Sequence, residues 1–157
     1  MPSGDLKRAY LDGVKMLARR ELSEAQIRER LARRGHDPDA IDAAVARLRD
    51  ERAIDDARVA DAIARTETSL HRRGKGRVRQ RIEQAGIAAA TAKRATDDAF
   101  ATIDEGAQIE AVVNKRLRGR DRVAGDHELQ RLYRYLLGQG FDPDRIMKVL
   151  TARKRSG

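Results

Sequence analysis

Gly-His-Asp-Pro-Asp at Gly35–Asp39 returns, with one residue changed, as Gly-Phe-Asp-Pro-Asp at Gly140–Asp144. In each copy a glycine suited to ending one helix is followed by a carboxylate and a proline suited to starting the next. Gly86 is a third anchor between them, 51 residues after Gly35 and 54 before Gly140. Four residues before the anchors lie Leu31, Ile82 and Leu136, eight before lie Ile27, Val78 and Leu132, and six after lie Ile41, Ala92 and Ile146. Apolar residues at these steps share a helix face. The chain therefore reads as three copies of one three-helix unit, over residues 1–53, 54–103 and 104–157. A unit of this size has a marginal core of its own, so the copies are expected to support one another as an extended, all-α array.

The helices follow in order. Leu6, Tyr10, Val14 and Leu17 place a first one over about Leu6–Arg20. Ser23 and Gln26 form a capping-box pair for the second. Asp37 and Pro38 open the third, whose inward face is Ile41, Ala44, Val45 and Leu48. Asp55 caps a fourth helix, with Ile54 and Val59 as its staple and Val59, Ile63 and Leu70 inward, running to about His71. Val78, Ile82 and Ala85 face the core in the fifth, and an alanine-rich sixth covers about Ala88–Ile103. A seventh, over about Glu105–Arg118, buries Ile109, Val112, Val113 and Leu117. After a polar loop at Gly119–Gly125, Asp126 caps an eighth carrying Leu129, Leu132 and Leu136. The ninth starts at Asp142–Pro143 and carries Ile146, Val149 and Leu150.

Charge is unevenly spread. Residues 1–70 hold 14 Lys/Arg and 14 Asp/Glu, net 0, while residues 71–94 hold 8 and 1, net +7. Residues 95–157 hold 12 and 10, so most of the total of +9 sits in RRGKGRVRQRIEQAG at Arg72–Gly86 and its flanks. A field this one-sided points to a polyanion or an acidic protein surface. Aromatic content of only 3% suits helices with thin apolar stripes, and the absence of cysteine excludes disulfides and thiolate chemistry. No apolar run approaches a membrane span and none follows the N-terminus as a leader would, so a cytoplasmic protein without membrane contact is expected.

Four pieces, in order, resemble the RecX family, small bacterial regulators of the RecA recombinase. They are LARRELSEAQIRERLARRG at Leu17–Gly35, DDARVADAIAR at Asp55–Arg65, RRGKGRVRQRIEQAGI at Arg72–Ile87 and LYRYLLGQGFDPDRIMKVL at Leu132–Leu150. The family's usual aromatics are replaced by Val59 and His36, while Phe141 keeps one. The resemblance implies three tandem three-helix repeats in an elongated, curved array. It also implies a protein, expected to be a monomer, that lodges in the groove of the RecA filament on single-stranded DNA. There it would limit the filament's recombinase, ATPase and coprotease activities, within recombination, repair and the SOS response. It brings no catalytic residue, cofactor or metal, and leaves open whether DNA is touched directly.

The candidate contact residues are Arg72, Arg73, Lys75, Arg77 and Arg81, with Lys115, Arg116 and Arg118 as a second cluster. Arg79 has Glu83 one helical turn away, whereas Arg77 and Arg81 have no acid at that spacing and lie beside the apolar face. Gly74 and Gly76 would let the backbone approach a phosphate or carboxylate, with a helix N-terminus adding amide donors. The run is not a phosphate-binding Walker loop, since Ser69 stands at its first glycine and Gly76 follows Lys75. Arg120 and Arg122 extend the second cluster, and helix-end attraction accounts for such cations as well as for the tail Arg153, Lys154 and Arg155. Tyr133 reads as core-bordering and Tyr135 as either exposed or packed. His36, His71 and His127 lack metal-ligand spacing. The acidic pairs sit at helix ends, where capping explains them, and nothing here reads as an enzyme. A helix-turn-helix DNA binder acting without RecA is the alternative. Against it, the helix after Gly35 mixes Asp39, Asp42, Asp50 and Glu51 with its arginines, a poor reader of a phosphate-lined groove.

Overall fold

The computed structural model describes residues 2–154, and all regular structure among them is helical. The elements are α1 (Pro2–Arg19), α2 (Glu24–Arg33), α3 (Pro38–Asp50), α4 (Asp56–Ser69), α5 (Lys75–Gln84), α6 (Ala89–Phe100), α7 (Glu105–Leu117), α8 (Asp126–Gly138) and α9 (Pro143–Ala152). None is long and apolar enough to cross a membrane. The three anchor glycines take the left-handed backbone expected past a helix end, with φ of +86° at Gly35, +81° at Gly86 and +93° at Gly140. Behind Gly35 and Gly140 the next amide reaches back, His36 N–H to the Leu31 carbonyl and Phe141 N–H to that of Leu136. These bonds satisfy carbonyls that a helix end otherwise leaves open.

Contacts gather the chain into two compact units, Met1–Ala62 with Ile82–Ala92, and Ile63–Arg81 with Lys93–Gly157. In the first, α1 meets α3 through Ala9, Ala40 and Ala44, small residues that allow close approach. Met16, Leu22, Ile27, Leu31, Ile41, Val45, Leu48 and Ile54 fill the adjoining core. Ser23 is the predicted capping residue of α2, and its hydroxyl also donates to the carbonyl of Ala85. Asp55 caps α4 by accepting from the Arg58 amide. Asp37 precedes Pro38 at the start of α3 but makes no side-chain capping bond.

The second unit is built on α7, α8 and α9 around Ile109, Val113, Leu117, Leu132, Leu136, Phe141, Ile146 and Leu150. Asp142 caps α9 as expected. Asp126 is not a cap: Gly125 holds that position, and Asp126 is the first helical residue. Leu70 also departs from expectation. The inward face of α4 runs through Val59, Ala60, Ala64 and Thr68, and the helix stops at Ser69, leaving Leu70 beyond the last turn and 75% exposed. Ile63 is half-buried.

A basic cavity as the candidate functional site

The second unit carries an open cavity of about 790 Å³ lined by Arg72, Lys115, Arg116 and Arg118, with His71, Leu70, Val112, Tyr135 and Gln139 completing its wall. Half of the predicted contact residues therefore meet in one concavity. Its lining contains no carboxylate. The elements explain the convergence. Lys115 and Arg116 ride on the last turn of α7, whose other face is pinned by Ile109, Val113 and Leu117. Arg118 follows at its left-handed cap, and Arg72 sits in the turn between α4 and α5.

Two of these arginines hold backbone conformations that side chains disfavour, φ of +50° at Arg72 and +51° at Arg118. A left-handed non-glycine residue costs about 1 kcal/mol or more. Arg120 fixes the turn at Arg118. Its guanidinium donates two bonds to the Glu128 carboxylate, at 2.9 and 2.8 Å, and a third to the Leu117 carbonyl. With the Ala124 amide added at 3.0 Å, these donors hold the Glu128 carboxyl down at about 2.

Tyr135 is half-buried against the α7–α9 core, and the Arg116 guanidinium covers its ring at 3.3 Å from the centroid. The ring is therefore not a bare platform for a base. Arg116 is oriented by the stack, and its planar edge keeps donors for phosphate or carboxylate oxygens. Tyr133 borders the core as expected.

The other predicted residues lie outside this cavity. Lys75 stands 3.7 Å from Asp97 and 6.0 Å from the ring centre of Phe100. Arg77 donates to Gln80, and Arg73 is half-buried with its Nε lacking a hydrogen-bond partner. Arg81 reaches Glu67, a buried carboxylate on α4, at 3.7 Å. Sequence spacing sees only partners on the same helix, and so Arg81 read as unpaired. The glycines too have another role. Gly74 N–H donates to the Gln139 carbonyl at 2.8 Å and Gly76 N–H to that of Gly140 at 3.0 Å. A Cβ at Gly74 would fall 2.5 Å from the Gly140 backbone, so the close approach they permit is to another part of the chain, not to an anion.

In the second cluster Arg120 and Arg122 are structural, Arg122 donating to the Lys154 carbonyl. Arg153 bonds Glu110 and Asn114, while Arg155 lies outside the described residues. The cavity also contains residues the sequence did not name as contacts: Leu70 and Val112, which read as core, His71, weighed only as a metal ligand, and Gln139, which carried no signal.

Family models match at two places, "RecX, first three-helix domain" over residues 9–48 and "RecX, third three-helix domain" over residues 104–150. A regulatory protein RecX of Halorhodospira halophila is 32% identical over 141 residues, which make up 88% of this chain and 84% of the relative. One from Acidithiobacillus ferrooxidans is 33% identical, covering 88% and 86%. The crystal structure of RecX from Lactobacillus salivarius superposes with a TM-score of 0.76 over 95% of this chain and 96% of that one, at 17% identity. At that identity the likeness speaks for the fold alone.

Proposed function

Because the chain belongs to the RecX family, we propose that it regulates the RecA recombinase by lodging in the groove of the RecA filament on single-stranded DNA. There it limits recombinase, ATPase and coprotease activities without catalysing a reaction of its own. We place it in the cytoplasm, acting as a monomer whose nine described helices are used as three repeats, 1–53, 54–103 and 104–157. The observation that supports this reading is the cavity in which Arg72, Lys115, Arg116 and Arg118 converge with no carboxylate in the lining. Such a concavity holds a positive potential that attracts either DNA phosphates or an acidic protein face. Contacts along the rest of the chain add grip by raising the effective concentration of each further contact.

RecA's single-stranded-DNA-dependent ATP hydrolysis, followed with sub-stoichiometric amounts of this protein, tests the reading. Progressive loss of hydrolysis is expected, and replacing Arg116 and Arg118 together by Gln removes the effect. Unchanged hydrolysis, combined with salt-sensitive binding to bare duplex, transfers the protein to the RecA-independent DNA-binding class.

A further inference from the structure

The first unit holds another cationic cavity, of about 530 Å³, that counting charges along the chain conceals. Its walls are Lys15, Arg19 and Arg20 from the end of α1 and Arg30, Arg33 and Arg34 from the end of α2. Met16, only 8% exposed, forms part of the lining. Glu29 holds Arg33 at 2.5 Å and Asp12 holds Arg34 at 3.3 Å. Among the described residues, Arg19, Arg20 and Arg30 form no ion pair, and Lys15 acts on Asp12 through its field alone.

The contrast with the rest of the unit is sharp. Arg28 reaches Asp42 and Glu24, Arg47 reaches Glu51, Arg49 reaches Glu24, and Arg58 reaches Glu21. Fourteen acids thus balance fourteen bases over residues 1–70, yet the fold leaves Arg19, Arg20 and Arg30 around one concavity without a carboxylate partner among the described residues. A helix C-terminus attracts cations to its own last carbonyls. That does not explain why cations from two helix ends line a single cavity, where they repel one another.

We propose that this cavity binds a run of phosphodiesters. Five of its six cations are arginines, whose planar forks match phosphate oxygens in pairs. No aromatic lines it, so it grips a nucleic-acid backbone without stacking bases and is indifferent to sequence. Single strands, duplex and inorganic polyphosphate share this chemistry, and the experiment separates them.

The test uses the full-length chain without RecA, so its outcome and that of the filament reading are independent. Binding of a labelled oligothymidylate is measured by fluorescence anisotropy over a range of salt concentrations. The Arg19→Gln/Arg30→Gln variant changes two side chains outside the core, and circular dichroism checks that its helicity is kept. It is expected to bind about tenfold more weakly at low salt, and its slope of log affinity against log salt falls by about 1.4 if each lost phosphate contact is worth about 0.7 on single strands. Arg47→Gln/Arg58→Gln removes the same charge from paired sites in the same unit and leaves that slope unchanged. Competition by unlabelled duplex and by polyphosphate shows which source of phosphate binds best. Parental affinity and slope in the Arg19/Arg30 variant overturn the proposal. So does displacement by poly-glutamate as effective as displacement by polyphosphate, because the site would then serve an acidic polypeptide.

Discussion

A Cβ added at Gly140 would lie 2.2 Å from the backbone nitrogen of Arg77. The start of the basic helix thus packs backbone to backbone on the α8–α9 turn, and two amide–carbonyl bonds, Gly74 to Gln139 and Gly76 to Gly140, hold it there. Gly140→Ala combines this clash with a φ of +93° and should destabilise the chain by on the order of 3 kcal/mol. Gly35→Ala is the control. It shares the left-handed backbone, at +86°, but a Cβ there meets nothing within 4 Å, and its cost should be nearer about 1 kcal/mol. Urea unfolding of the two variants checks the ranking, and equal losses would mean that the contact with Arg77 is immaterial.

Arg72 and Arg118 give a way to separate binding from stability. At φ near +50°, glycine relieves strain that alanine keeps. Arg118→Gly should therefore melt at or above the parent, and Arg118→Ala at or slightly below it. Both should weaken binding to the partner alike, because both lose the guanidinium. Thermal melts paired with titration of the RecA–DNA filament would read the two quantities separately. A glycine variant that melts well below the parent would show that the side chain supports the fold.

Arg77 and Arg81 looked equivalent on a helical wheel, and the fold separates them. Glu67 is buried and lies 3.7 Å from Arg81. Arg81→Glu sets two carboxylates against each other, one with little access to water. It should lower the melting temperature by several degrees, whereas Arg77→Glu, at a site where the guanidinium donates to Gln80, should melt close to the parent. Any loss of filament binding in Arg81→Glu therefore has to be corrected for unfolding, and Arg81→Gln is the cleaner probe of charge.

Local signals were the legible ones. The glycine anchors, the Ser23–Gln26 capping box and the faces of α3, α5 and α9 follow from rules operating within one or two turns of chain. Convergence is not local. Arg72 and Arg118 are 46 residues apart in the sequence and line one cavity only because the fold brings the turn before α5 to the end of α7. Lys15 and Arg30 were invisible for the opposite reason. Their segment is neutral as a whole, and only the fold shows that its acids pair elsewhere. Leu70 was misplaced because periodicity gives the inward face of a helix but not the turn at which it stops.

His36, which replaces an aromatic in the family's pattern, bridges α1 to the turn before α3. Its Nδ1 lies 3.0 Å from Asp5 and its Nε2 2.7 Å from Asp12, with its side chain 8% exposed. A neutral imidazole donates from only one nitrogen, so bonding both carboxylates requires the imidazolium. The bonds from Asp5 and Asp12 accordingly raise the His36 pKa above its ordinary 6.5. Asp5 and Asp12 are both lowered from 3.8, chiefly by His36, with the Asp37 amide and Arg8 assisting at Asp5 and Arg34 and Lys15 at Asp12. The sign follows from linkage. A raised histidine contributes stability that is complete below 6.5 and is lost as pH rises through the folded value, while the lowered aspartates lose theirs as pH falls from about 4. The start of α1 is therefore held best between those limits. Thermal melts should fall as pH rises above about 6.5 in the parent, and His36→Gln, which keeps one donor and cannot titrate, should flatten that slope while melting lower at the acidic end. A histidine-free chain with the parent's slope would place the pH dependence elsewhere.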